Sequence, residues 1–520
     1  MFQSFSQNLQ SWSSNAAEKR HGLRIAFWMT CVLFVTAALG FMLLRGEPTL
    51  SIIYWLLYLG GAVLITYQPR YAVYLIVGLA MASDMRLDYS WPFVKNLSSP
   101  ESIMFVSRAA YTSPVEIYMI LALIAWFGKS LIQRKPLNVY FGELLWPGLI
   151  FAGFVAFGVV RGILSRGIPV IAVWESRPIF YIAIMLLLVS SLLTKREHVK
   201  TVFWFAFIGL FITSIRGVLY VHNDLNWMIN SVERIAEHGY SIRVATLIVF
   251  LFAAFFLRAS FSHRFIPLLL VLPALISFAS NQRRASYVAI ILSFIIVIAW
   301  IYYENRKLFY FVLPASVILG TLYLGVFWNA SGALGQPARA VRSAIFPNQL
   351  SDRDSASSNY RVLENINIMY TIRTSPLLGI GFGNKFYVVV PMPSISMNFE
   401  RWEYLTHNSL LWVWMKTGLG GFLAMFYLFS MSVIVGARTV WRMPPGDCRI
   451  YALTATTYIM MQLIYTYVDI AWDVQSMIYL GTMMGIINCL DRVIINEPPK
   501  PAKRWPWQPD PKPEPTLQPW

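Results

Sequence analysis

Charge is scarce in this chain: Asp, Glu, Lys and Arg make up 13% of its 520 residues, where soluble globular domains carry about a quarter. With 57% hydrophobic and 16% aromatic residues, that scarcity excludes an ordinary soluble enzyme and points to a polytopic membrane protein. Cysteine is nearly absent. Cys31 and Cys489 fall in or beside apolar runs and Cys448 in a short basic loop, so there is no disulfide framework and no metal-ligand spacing, and no metal is expected. A nucleotide-binding loop is missing too, because the glycine run from Gly379 to Gly383 lacks the Lys and Ser/Thr of a P-loop; no cofactor is expected. Nor is a cleavable leader expected: residues 1–20 are polar, and the run Leu23 to Leu44 is too long for one and should stay as the first helix. The net charge of +17 does not signal nucleic acid, since the basic residues are dispersed between apolar spans and form no soluble basic face.

What the chain has is apolar runs. They recur near 23–44, 49–67, 70–83, 113–128, 141–160, 170–193, 199–221, 240–257, 265–280, 284–303, 307–327, 408–435, 450–468 and 471–490, about fourteen spans in all. Those at 70–83 and 265–280 are short for a crossing, and either could be re-entrant. Alternate short connections are basic, among them Lys129, Arg134 and Lys135, then Lys195, Arg196 and Lys200, then Arg306 and Lys307, then Arg438, Arg442 and Arg449. The positive-inside rule makes these cytoplasmic, with both termini. The expected fold is an all-α polytopic helical bundle with one large outer loop. Its parts are an N-terminal segment 1–22, a first set of spans 23–327, the loop 328–407, C-terminal spans 408–490 and a proline-rich tail 491–520, whose 497–520 run cannot pack as a helix.

Three long segments, 84–112, 222–239 and 328–407, then lie outside and form the working surface. Their side of the chain holds mostly arginine, with Lys95, Lys385 and Lys416 its only lysines. Arginine's planar fork pairs bidentately with phosphate, so an anionic ligand is one reading; ion pairs with Asp352, Asp354, Glu364 and Glu400 are the other. Within the loop, 359–374 reads as an amphipathic helix with Val362, Ile366, Met369 and Ile372 on one side and Arg361 and Arg373 at its ends. The following glycine run offers amides that could face an oxyanion, or forms a plain turn.

His407 is the most suggestive single residue. It precedes the span from Leu410, among the capping types Thr406, Asn408 and Ser409. A histidine at the positive end of a helix dipole tends to be neutral and able to accept a proton, the state of a general base, although an interfacial polar residue would look the same. Arg283 and Arg284, at the outer start of another span, either snorkel to water or hold an anion. Further charges at membrane depth are Glu175, Arg177, Arg216, Arg243, Asp469 and Asp473. Glu175 and Arg177 cannot face each other on a helix, so each should find its partner on another span; an ion or proton pathway is the competing use of this group.

The order RRAS at 283–286, NYRVLENINIMYTIRTSPLLGIGFGNKFY from Asn359 and THNSLLWVWMKTGLGGFLAMFYL from Thr406 resembles the O-antigen ligase and polymerase family of bacterial inner-membrane glycosyltransferases, over 270–435. The resemblance implies an undecaprenyl-diphosphate-linked glycan donor, a glycan, lipid or protein acceptor, and transfer on the periplasmic face with inversion and without metal. It assigns His407 as catalytic base and Arg284 or its neighbour Arg283, with Arg361, to the diphosphate; Asn408, Glu175, Arg177, Arg243 and Arg373 are possible supports. A polysaccharide flippase or transporter, with Glu175, Asp469 and Asp473 as its charges, and a non-catalytic export scaffold are the alternatives.

Overall fold

With no water at membrane depth to satisfy backbone amides and carbonyls, an apolar run has to close its hydrogen bonds within itself, and helices do so. The computed structural model describes residues 29–33, 36, 37, 40, 49–84, 87, 93–229, 232, 234–257, 259–330, 334–346, 352–396 and 401–496. Every expected span from 49 onward is helical, and no strand occurs among the described residues. The span at 23–44 and the tail lie largely outside them.

The helices are α1 (Thr49–Tyr67), α2 (Arg70–Met81), α3 (Pro114–Ile132), α4 (Leu145–Leu164), α5 (Pro169–Leu192), α6 (Arg196–Asn223), α7 (Tyr240–Phe256), α8 (Phe261–Ser280), α9 (Arg284–Glu304), α10 (Arg306–Phe327), α11 (Gln336–Ile345), α12 (Asp352–Thr374), α13 (Ser409–Arg442), α14 (Asp447–Val468) and α15 (Val474–Asn496). Among the described residues, 9 are long and apolar enough to cross a membrane, and α2, α7 and most of α1 form shorter apolar helices. The chain is therefore an all-α polytopic bundle. With 12 residues α2 rises only about 18 Å, short of the roughly 30 Å hydrocarbon layer, whereas α8, with 20 residues, is long enough.

Helix α14 has 22 residues but is too polar to stand among the 9. It packs against α7, α9, α13 and α15, so its buried Thr454, Thr456, Thr457 and Gln462 meet protein and not lipid. Helix α15 is the bundle's axis, buried along most of its length against α5 and α14. Helix α10 is largely exposed, and among the described residues its close neighbours are α9 and α11.

Two features place the site. Helix α13 is broken at Gly418, whose φ of 73° suits glycine, and the chain at Leu377 and Leu378 packs against that point too closely for a Cβ. The turn after α12 fills the break: Ile380 N donates to Met415 O (2.8 Å) and Leu419 N to Pro376 O (3.0 Å). Helix α12 is longer than the sequence pattern indicates, and its buried face is different. Glu364, Asn367, Ile368, Thr371 and Ile372 are buried, whereas Val362 and Ile366, expected on the packed side, are 58% and 46% exposed. Polar pairing sets this orientation. Asn367 Oδ1 accepts from Val389 N and Val390 N (both 2.8 Å), and Thr371 Oγ1 from Tyr387 N (2.9 Å).

Candidate active site

Asn408 caps α13 with its side-chain oxygen on Leu411 N (3.2 Å), which leaves His407 as the last residue of the loop, beside α12. There the buried Glu364 carboxylate accepts from His407 N (2.9 Å) and lies 3.2 Å from His407 Nδ1 through each of its oxygens. A carboxylate can only accept, so Nδ1 carries a proton, and in the neutral ring Nε2 holds the lone pair. The Tyr360 ring, one turn before Glu364, stands edge-on to the imidazole at 5.7 Å.

A second histidine faces the first. His238 Nδ1 lies 2.7 Å from Asp469 Oδ1, and its ring centroid is 6.4 Å from that of His407. The loop carrying His238 is tied down along its length. Asp84 accepts from Glu237 N (3.1 Å), Asn281 Oδ1 from Ala236 N (2.9 Å), and Tyr465 Oη lies 2.5 Å from the His238 carbonyl and 3.0 Å from Asp469 Oδ2. Burial and the positive charge of Arg283 push the His238 imidazole down to about 3. Burial alone would raise the Asp469 carboxyl, but His238, Arg283 and Arg361 hold it well below the usual carboxylate range.

Arg283 is the residue just before α9, and its Nη1 lies 3.4 Å from Asp469 Oδ2. Gln282, in the left-handed region with φ 56°, makes the turn that presents it, and the Gln282 side chain is anchored on the Ile229 and Val232 carbonyls. Arg361, half-buried on α12, adds its charge to the same group. His407, His238 and Tyr360 line a cavity of about 800 Å³. Its other walls are Trp174, Glu175, Arg177 and Pro178 of α5, Arg234 and Glu237, and the 470–475 segment with Trp472 and Asp473. The lining is mostly apolar, with the ionisable groups gathered among it. Among the described residues no three His, Cys, Asp or Glu side chains converge as metal ligands would.

The remaining residues singled out in the sequence fall into other places. Glu175 and Arg177 each find a partner on another helix. Glu175 pairs with Lys416 Nζ (2.8 Å), both side chains fully buried, and Arg177 Nε with Glu116 Oε1 (3.1 Å). Lys416 is thus a bundle-interior residue and does not belong to the outer face. Arg243 is buried in α7 and bonds Asp473 and Ser476 (both 2.8 Å). Arg373 is exposed in the last turn of α12, and Arg284 is the half-buried first residue of α9. Asn408 spends its side-chain oxygen on the helix cap. The glycine run is not an anion cradle: Gly379 N donates to Ser375 O, Phe382 N to Gly158 O and Gly383 N to Glu175 Oε2. Those amides hold the turn on α4 and α5.

Sequence reasoning missed Glu364 as the partner of His407, and His238 altogether. A signal existed for each. Glu364 stands three residues after Arg361 and four after Tyr360, one helical face with both, and His238 is one of 6 histidines in the whole chain.

None of the curated proteins compared with the chain matches it. A family model described as O-antigen ligase matches residues 268–426, the stretch that runs from α8 through Arg283, Arg361, Glu364 and His407 into α13. By that match, and by the motifs in the same stretch, this part of the chain is a domain of the O-antigen ligase family.

Proposed function

We propose that the protein transfers a glycan from an undecaprenyl-diphosphate-linked donor to an acceptor hydroxyl at the His407 cavity, on the periplasmic face, with inversion. The observation that carries this reading is His407, held from behind by Glu364, on the wall of a large, mostly apolar cavity, with Arg283 and Arg361 placing their charge on the Asp469 carboxylate that faces His238. Glu364 fixes the ring so that Nε2 can take a proton, in the way a buried carboxylate orients a catalytic histidine. The acceptor oxygen, giving its proton to Nε2, attacks the anomeric carbon as the bond from that carbon to the diphosphate oxygen breaks. Undecaprenyl diphosphate leaves with the bonding electrons.

The growing negative charge on the leaving diphosphate needs fixed cations, and such electrostatic stabilisation is often the largest part of catalysis. Arg283 is favoured over Arg284 for this task, because it already reaches the Asp469 group beside the two histidines. Arg361, on the face of α12 that carries Glu364, is its partner. The apolar walls suit the polyprenyl chain. The break in α13 is bridged from within the chain, Ile380 N on Met415 O and Leu419 N on Pro376 O, and so gives a transporter reading no separate support.

His407→Ala is the test. In reconstituted protein with a synthetic lipid-diphosphate glycan, donor binding should persist while single-turnover transfer falls about 10²- to 10⁴-fold, the usual worth of a general base. Normal transfer by that variant would sink the assignment.

A further inference from the structure

His238 is a polar group of the cavity that the chemistry above leaves unused. Its Nδ1 lies 2.7 Å from Asp469 Oδ1, too close for a nitrogen lone pair to face the carboxylate, so that nitrogen carries the ring proton, as the Nδ1 of His407 does 3.2 Å from Glu364, and Nε2 is the nitrogen each ring has left. Both rings line the same space, their planes inclined at 71° and their centroids 6.4 Å apart. Held neutral by burial and by Arg283, with its proton on the Asp469 side, His238 has an Nε2 that only accepts. A group that only accepts cannot support a departing diphosphate, which needs donors. It suits a hydroxyl. One hydroxyl has one proton, and the attacking hydroxyl gives its own to His407, so the partner of His238 is a different hydroxyl. Sugars carry hydroxyls on adjacent carbons.

Resting on the glycosyl-transfer reading, we propose that His238 is a positioning residue for the acceptor sugar: its Nε2 accepts a hydrogen bond from the hydroxyl next to the one that attacks. The site then selects acceptors that present a neighbouring pair of hydroxyls. Loss of one such neutral bond is worth about 3- to 10-fold in affinity.

Two variants separate this from a role in merely holding Asp469 and Arg283. Asn places its amide near the position of Nδ1 and keeps the Asp469 contact, whereas Gln places its oxygen near Nε2 and can still accept. Transfer is measured with a synthetic undecaprenyl-diphosphate glycan as donor and the glycolipid fraction of the host membrane as titrated acceptor. His238→Gln should keep the acceptor KM near that of the wild type, and His238→Asn should raise it about 3- to 10-fold with the donor KM unchanged. The reverse order, or no change in either variant, overturns the proposal, as does a fall in kcat alone. The wild type gives a reading free of folding effects: acceptor should shift the His238 Nε2 nitrogen resonance and leave it unprotonated, and an unmoved resonance also overturns the proposal. Failure of the wild type to transfer from the lipid-diphosphate donor removes the glycosyl-transfer reading itself, a different result from any of these.

Discussion

The two histidines of the cavity are each set by a buried carboxylate, and that gives the site its chemical asymmetry. Glu364 serves His407 through the ring and through the backbone amide together, so Glu364→Gln keeps the shape and replaces a pure acceptor with a group that can donate to Nδ1. The ring can then adopt the tautomer with its proton on Nε2, which is unable to take one from a hydroxyl. Single-turnover transfer by Glu364→Gln should fall at least 10-fold with donor binding unchanged, on the order of a misoriented catalytic histidine; a rate equal to the wild type would show the pair to be structural. His238 supplies a stability test. Its imidazole titrates near 3 in the fold and near 6.5 when unfolded, so between those values the unfolded chain binds more protons. Stability should therefore rise with pH across that window and be lost on acidification, by about 1.4 kcal/mol per pH unit at most. Asp469, depressed in the fold, acts in the same direction at lower pH. Thermal melting in detergent from pH 7 to 5 should fall steeply in the wild type and less in His238→Gln; parallel curves would refute the assignment.

At the scale of elements, the apolar helices from α1 onward are legible in hydropathy because lipid demands apolar runs, whereas the polar α11 and the orientation of α12 are not. Its Val362–Ile366–Met369–Ile372 stripe reads as the buried side by the ordinary rule for amphipathic helices, and Ile372 is buried, yet the helix exposes Val362 and Ile366 and turns Glu364, Asn367 and Thr371 inward to partners 16 to 43 residues away. Such partners leave no periodic trace. The same reason hid Glu364 while leaving His407, which sits at a recognisable cap, in view. Ile366→Asp should thus be tolerated, its side chain being 46% exposed. Asn367→Ala should not, because it strips acceptors from two loop amides and leaves the Val390 carbonyl without its donor, at about 1–3 kcal/mol for each buried group left unsatisfied. Limited proteolysis of the 385–396 segment, faster in Asn367→Ala and unchanged in Ile366→Asp, is the expected pattern. The opposite pattern would restore the amphipathic reading. Lys416 and Glu175 behave similarly: each was visible as a charge, but only packing reveals that they meet and clamp the turn that fills the α13 break, with Lys416 Nζ on Asn384 O (2.6 Å) and Gly383 N on Glu175 (2.6 Å). Lys416→Met leaves a buried carboxylate alone and should cost about 3–5 kcal/mol, part of which Glu175→Leu should restore in the double variant. Additive losses in thermal melting would mean that the two charges do not act as a pair.

For the molecule as a whole, α13 links the two ends. It begins two residues after His407 and ends at Arg442, 34 residues and about 50 Å of helical rise later. Arg438 and Arg442 at that far end pair with Glu143 and Asp491, and Arg449 just beyond pairs with Glu304, so the basic connections and the cavity occupy opposite ends of the bundle. Under the proposed reading the positive-inside rule gives the direction: the arginine-rich connections would face the cytoplasm and the cavity the periplasm. In that proposed orientation a lipid-linked donor would have to be flipped across the membrane before transfer. Single cysteines test it in a background in which Cys31, Cys448 and Cys489 are replaced. Ser357→Cys, exposed on α12 at the cavity wall, should react with a membrane-impermeant maleimide added outside spheroplasts, and Lys307→Cys, exposed at the start of α10, should react only after the membrane is opened. Donor should protect the first and leave the second unchanged, since only Ser357 borders the cavity. If Lys307→Cys were labelled from outside and Ser357→Cys only after opening, the bundle would be inverted, and His407 would work on the cytoplasmic face.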